Sequence, residues 1–238
     1  MQIFVINLKE DIERRQSITK CLNELHLDFE IFNAIKGKDI DRPNNPLVYD
    51  KDECLVKHNF LSKTVMRGKL SDGELGCALS HLGVYQEIVK RNLPGAIILE
   101  DDFIPSCDLN AVFSAAYKVV PQADIISGYP LGGGLRQSFF TVKQKINIKD
   151  FRVYRLGVPG LDWFLNRRRR APTCACYFIS SEACKRLIQL GFPVRFESDV
   201  LMGMVAFNKL KYFALTPFCG TRLKTSSSIG VHGTYRFY

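Results

Sequence analysis

Three consecutive acids, Glu100-Asp101-Asp102, follow directly on the apolar run Ala96-Ile97-Ile98-Leu99. Like charges this close raise one another's pKa and repel, unless a cation or hydrogen-bond donors offset them. Side chains alternate along a strand, so Glu100 and Asp102 are expected on one face and Asp101 on the other. In open α/β sheets, ligands bind beyond the carboxyl ends of parallel strands, and a divalent cation there would offset the charge. Hard carboxylate oxygens suit Mn2+ or Mg2+, which commonly bind through one or two carboxylates plus substrate phosphates. Asp102, nearest the following loop, is the first metal candidate and Glu100 the second. A plain capping cluster for the next turn is the alternative.

The elements around this trio can be read from periodicity. Gln2 to Leu8 reads as a buried strand, followed by a helix from Glu10 to Leu25 with Ile12, Ile18, Leu22 and Leu25 on one face. A second strand is expected at Asp28 to Ala34, and strand-helix-strand at the start of a chain suggests a parallel unit. Gly37 to Gly68, polar and containing Pro43 and Pro46, reads mainly as loop with room for one short helix. Ser71-Asp72-Gly73-Glu74 is a capping-box start for a helix reaching Arg91, with Leu75, Leu79, Leu82 and Val89 facing the core. Asn92-Leu93-Pro94-Gly95 ends it before the central strand Ala96 to Leu99.

Beyond the trio, the spacing predicts a helix over Leu109 to Val119 and a strand over Asp124 to Ser127. Gly128 to Arg170 is long for a loop, which usually marks a functional excursion. Strand Thr173 to Ile179, a helix to Leu190, a helix from Ser198 to Asn208 and strand Tyr212 to Leu215 complete the expected core.

At 46% hydrophobic and 24% charged the chain has a globular composition, and its net charge is +9. Most of that excess sits between Lys143 and Arg170, where nine Lys or Arg oppose Asp150 and Asp162. The segment ends in Trp163-Phe164-Leu165-Asn166-Arg167-Arg168-Arg169-Arg170, a composition suited to an anionic membrane surface, where each basic residue contributes ~1 kcal/mol. A solvated loop or a site for a phosphorylated substrate are the alternatives. No nucleic-acid recognition motif is evident, so nucleic acid is not an expected partner. No apolar run approaches the ~18 residues of a membrane span, and Ile3 to Leu8 is too short for a signal peptide. The expectation is a cytoplasmic protein, with a peripheral position on the inner membrane left open. The eight cysteines then read as buried small hydrophobes. Cys174 and Cys176, at C-x-C spacing, would share a face on a strand, and no second pair completes a four-ligand zinc site.

Taken together, these residues resemble glycosyltransferase family 25, the lipopolysaccharide-biosynthesis enzymes related to collagen galactosyltransferases. The resemblance runs through Val5-Ile6-Asn7-Leu8 with Asp11, Arg14 and Arg15, then Gly73-Glu74-Leu75-Gly76-Cys77-Ala78-Leu79-Ser80-His81-Leu82 and Ile98-Leu99-Glu100-Asp101-Asp102. Ala175 to Leu187, Asp199 and Ser227-Ser228-Ile229 extend it. It implies a GT-A-like nucleotide-binding α/β fold, with a mixed, mostly parallel central sheet flanked by helices. The whole of 1–238 would be one domain, with a basic excursion at about 128–171.

The resemblance further implies an inverting enzyme that moves galactose from UDP-galactose, or another UDP-hexose, to a glycolipid or oligosaccharide acceptor of a lipopolysaccharide or lipooligosaccharide core. The acidic trio would hold Mn2+ on the diphosphate, with His232 as a late additional ligand and Asp101 touching the ribose. Inversion needs one carboxylate to take the proton of the incoming hydroxyl on the face opposite UDP, a role worth ~10²–10⁴-fold. Asp199 is the first candidate and Glu197 the second, although both also stand where a helix cap would. Asn7 and Leu8 are placed to meet uracil or ribose. Arg14 would bind diphosphate or pair with Asp11, and Ser80 and His81 would contact sugar or phosphate. Two other readings remain: a nucleotidyl- or phosphotransferase using the same carboxylates, and a non-catalytic module docking on anionic lipid through Trp163 and Arg167 to Arg170.

Overall fold

The structure is a computed structural model that describes residues 1–57, 63–129, 143–148, 150–155 and 173–223. The chain begins with β1 (Gln2–Asn7), α1 (Ile12–Glu24) and β2 (Glu30–Asn33), with β1 and β2 parallel as expected. A 3-10 turn (Gly37–Asp39) leads to a hairpin of β3 (Glu53–Lys57) and β4 (Lys63–Arg67). Then come α2 (Asp72–Lys90), β5 (Gly95–Glu100), β6 (Phe103–Pro105), α3 (Leu109–Val119) and β7 (Ile125–Ser127). The remainder comprises β8 (Lys143–Lys145), β9 (Arg152–Arg155), β10 (Cys176–Ser180), α4 (Ser181–Gly191), α5 (Ser198–Gly203), α6 (Val205–Asn208), β11 (Tyr212–Thr216) and β12 (Gly220–Arg222).

Eight strands form one mixed sheet in the order β2-β1-β5-β10-β7-β11-β9-β8. Only β10 and β9 run against the other six, so the sheet is mostly co-directional, and helices lie on both faces. This is the GT-A-like arrangement expected from the resemblance.

The alternation along β1 and β5 explains the two-sided cover. Phe4, Ile6, Ala96 and Ile98 enter a core with α2 and α4, whereas Ile3, Val5, Ile97 and Leu99 enter a second core with α1 and α3. Each of the larger side chains contributes ~1.5–3 kcal/mol when fully buried, so the register of the central strands is strongly fixed. The same alternation continues into the acids: Glu100 turns toward α2 and Asp101 toward α1.

Several expectations are corrected. Ile12 is 60% exposed, whereas Ile18 and Leu22 of the expected face of α1 are buried and Leu25 packs partly against the core. The stretch expected to be loop between Gly37 and Gly68 contains the β3–β4 hairpin, in which Cys54 and Val56 are buried while Leu55 is exposed. Part of the basic excursion is also strand, because β8 and β9 extend the edge of the main sheet. The helix expected from Ser198 to Asn208 is broken at Met204, where the Asn208 amide donates to the carbonyls of Leu201 and Met202 and so closes α5. Cys174 and Cys176 do not share a face. The strand begins only at Cys176, and the two thiols enter opposite cores. All eight cysteines are free, and five are buried.

Candidate active site at the end of the central strands

The glycosyltransferase-like block on α2 works in two adjacent rows. At its start the capping box forms as expected: Ser71 N–H donates to Glu74 Oε2 at 2.7 Å, and Glu74 N–H to Ser71 Oγ at 3.3 Å. One row, Gly76 and Ser80, docks the segment after β2. Ser80 Oγ accepts from Ile35 N–H at 2.8 Å and donates to Gly76 carbonyl at 2.6 Å. A Cβ on Gly76 would lie 2.5 Å from the Ile35 carbonyl, so the backbone approach itself requires glycine. The second row, Cys77 and His81, one turn apart, faces the sheet and meets Glu100.

At the strand end, the register sets Ile6 beside Glu100, which brings Asn7 next to Asp101. Asn7 Nδ2 donates to Asp101 Oδ2 at 2.8 Å and to the Asp11 carbonyl at 3.2 Å. Arg14 reaches Asp101 Oδ1 at 3.3 Å. Both oxygens of Asp101 are therefore engaged within the protein, and the cluster ties β1, α1 and β5 together. Burial raises the Asp101 pKa, and the Asn7 and Arg14 contacts only partly counter it. The pairing of Arg14 with Asp11 weighed from spacing is replaced by this longer-range contact. Asn7 Oδ1 is buried without a partner.

Glu100 and Asp102 share the other side, as the alternation required. Between them lies Arg222 of β12, which donates through Nε to Asp102 Oδ2 at 3.0 Å and through Nη2 to Glu100 Oε2 at 3.3 Å, with a further short contact from Nη2 to Asp102. Leu223 N–H also donates to the Asp102 carbonyl at 2.8 Å. β12 is held there by antiparallel pairing with β6, the strand immediately after the trio. Burial pushes the Asp102 pKa up, with Arg222 opposing it. For Glu100, burial also acts upward, but His81, Arg222 and Arg14 outweigh it and hold its pKa below the usual carboxylate range. Asp102 Oδ1 is buried and unpartnered.

That orphaned oxygen, two carboxylates on one face and their hard donor chemistry fit a divalent cation held by Glu100 and Asp102. His232 lies outside the described residues, as do Trp163 and Arg167 to Arg170, so their expected metal and membrane roles have no geometry here.

The predicted base candidates stand at the start of α5. Glu197 occupies the N-cap position without a side-chain cap bond, and Asp199 Oδ1 accepts from Val200 N–H at 2.7 Å. Ser198 between them donates to the Cys77 carbonyl at 3.5 Å. Glu100, Asp199 and Glu197 all act on the Cys77 thiol, whose pKa is raised chiefly by burial and further by these three charges. The helix start and the strand end therefore border one acidic neighbourhood. Leu8 is half-buried at the end of β1. Ser80 and His81 are 1% exposed, so their side chains act within the protein.

Sequence reasoning missed Arg222. Nothing local marks it: its partners lie 120 and 122 residues away, and only the β6–β12 pairing reveals it. Tyr177 and Tyr85, which line His81, were likewise hidden inside ordinary strand and helix patterns.

The model of glycosyltransferase family 25 (LPS biosynthesis protein) matches residues 1–202 of this chain. Procollagen galactosyltransferase 1-B of Xenopus laevis is 36% identical over 102 residues, 42% of this chain and 16% of that protein. Human procollagen galactosyltransferase 2 is 30% identical over 101 residues, again 42% of this chain and 15% of its own length. A putative glycosyltransferase of Haemophilus influenzae is 27% identical over 219 residues, which cover 90% of this chain and 67% of that one. The chain belongs to glycosyltransferase family 25. Its alignment spans only a small part of the procollagen relatives, 15–16% of their length.

Proposed function

We propose that this protein is an inverting galactosyltransferase that moves galactose from UDP-galactose to a sugar of a lipopolysaccharide or lipooligosaccharide core. The observation that carries this reading is the pair Glu100 and Asp102 at the end of β5, bridged by Arg222 and leaving Asp102 Oδ1 buried without a partner. Family membership and the galactosyltransferase names of relatives support the donor class. Glu100 and Asp102 would hold Mn2+ or Mg2+, with His232 as a further ligand, and such a cation supplies Lewis-acid stabilisation of the departing diphosphate.

The chain's own groups do the rest. Asp101, fixed by Asn7 and Arg14, holds the strand end rigid, so that Glu100 and Asp102 keep a constant separation. Arg222 carries positive charge beside the same carboxylates and, on release from them, is available to charge developing on the leaving group. Asp199, with Glu197 as second choice, takes the proton from the acceptor hydroxyl as it attacks the anomeric carbon. The basic segment with Trp163 and Arg167 to Arg170 docks the protein on the inner membrane from the cytoplasm, where a glycolipid acceptor would lie. Among the described residues no helix is long and apolar enough to cross a membrane.

Incubation with UDP-galactose and a truncated core oligosaccharide tests the reading. Free UDP and a β-linked galactoside are the expected products. UMP or pyrophosphate in place of UDP would instead make the protein a phospho- or nucleotidyltransferase on the same carboxylates.

A further inference from the structure

His81 is 1% exposed, and its Nε2 is buried with no hydrogen-bond partner. Behind the ring runs a chain of hydroxyls: His81 Nδ1 lies 2.7 Å from the Tyr177 hydroxyl, which lies 2.8 Å from the Tyr85 hydroxyl, and Tyr85 reaches Met202 Sδ at 3.5 Å. Nε2, the atom aimed at the sheet, faces Glu100 Oε1 at 3.6 Å, longer than a hydrogen bond. Cys77, one turn earlier on α2, completes a cluster in which sulfur, nitrogen and oxygen all lie within 4.8 Å of one another.

We propose that Cys77, His81 and Glu100 form a site for a zinc-class divalent cation, distinct from the pair Glu100 and Asp102 assigned to the diphosphate. The donor set decides the class: thiolate plus imidazole favours zinc over magnesium or manganese. The geometry also fits. Tetrahedral bonds of ~2.1 Å set nitrogen and oxygen ligands ~3.4 Å apart, close to the observed His81–Glu100 separation. Tyr177 supplies the outer hydrogen bond that metal-bound histidines ordinarily make through the other ring nitrogen. With three protein ligands, the fourth tetrahedral position would be taken by a water. The two oxygens of Glu100 face different ways, Oε1 to His81 and Oε2 to Arg222, so occupation here leaves Oε2 for the outer side. Binding forms bonds from the metal to sulfur, nitrogen and oxygen and releases the Cys77 proton to solvent, one proton per ion.

The test uses the full chain, stripped with a chelator and titrated with Co2+ and then Zn2+. A thiolate-to-cobalt absorption band should saturate at one equivalent and vanish when zinc displaces cobalt. Cys77→Ser should remove the band, whereas Asp102→Asn should keep it. Tyr177→Phe, which leaves the packing but removes the acceptor for His81, should weaken cobalt affinity by about 10–100-fold. Should Cys77→Ser fail to fold, zinc protection of Cys77 from alkylation in the wild type, mapped by mass spectrometry, gives the same answer. A wild type without the band, a band that survives Cys77→Ser, or a Cys77 alkylated equally with and without zinc overturns the site. Galactosyl transfer is read separately from product analysis, so either result can stand without the other.

Discussion

At the scale of single residues, Arg222 stands where a cation would otherwise offset Glu100 and Asp102. Its guanidinium engages one oxygen of each carboxylate, Glu100 Oε2 and Asp102 Oδ2, and this pairing explains how two acids persist at the end of a buried strand. Arg222→Ala is expected to destabilise the metal-free protein by on the order of 1 kcal/mol, because the side chain is partly exposed, and so to lower its melting temperature. It is also expected to enlarge the stabilisation that Mn2+ gives, since the ion no longer competes with a resident charge. Thermal melts with and without Mn2+ check both parts, and an unchanged Mn2+ response would remove Arg222 from the cation site. Asp101 has a different job. Asp101→Asn weakens the contacts from Asn7 and Arg14, and because burial already raises the Asp101 pKa the expected loss is ~1–3 kcal/mol, less than for a fully buried ion pair. Urea unfolding measures it.

The scale of elements shows what the sequence could and could not convey. The apolar run before the acids, the capping box at Ser71 and Glu74, and the alternation that separates Glu100 from Asp101 are all local signals, and each is realised. Ser80 and Gly76 were legible as a motif but not as a clasp, because their partner at Ile35 is fixed only when the turn after β2 packs on α2. Ser80→Ala would strand the Ile35 N–H and is expected to cost ~1–3 kcal/mol, with little change in the KM for donor sugar. A raised KM at unchanged stability would instead restore Ser80 as a donor contact. Short edge strands were the weakest part of the reading. The β3–β4 hairpin alternates buried Cys54 and Val56 with exposed Leu55, but over five residues flanked by charge that pattern is too brief to separate from loop. The break at Met204 depends on Asn208 folding its amide back on α5, a contact that periodicity does not encode.

For the whole molecule, the sheet gathers at one end the residues that sequence places far apart: Asn7, His81, the acidic trio and Arg222. The base candidates Asp199 and Glu197 border the same region through Cys77. Charge distribution adds a second theme, since most of the +9 resides in the segment between Lys143 and Arg170. Replacing Arg167 to Arg170 with neutral residues should abolish sedimentation with vesicles containing anionic lipid while leaving turnover of a soluble oligosaccharide acceptor intact. Equal sedimentation of both proteins would remove that segment from membrane docking. The most direct measurement concerns UDP itself. Calorimetric titration of UDP into the protein, with and without Mn2+, should show binding that needs the ion and disappears in Asp102→Ala. Equally tight UDP binding without Mn2+, or in Asp102→Ala, would contradict a metal-bridged diphosphate at the end of β5.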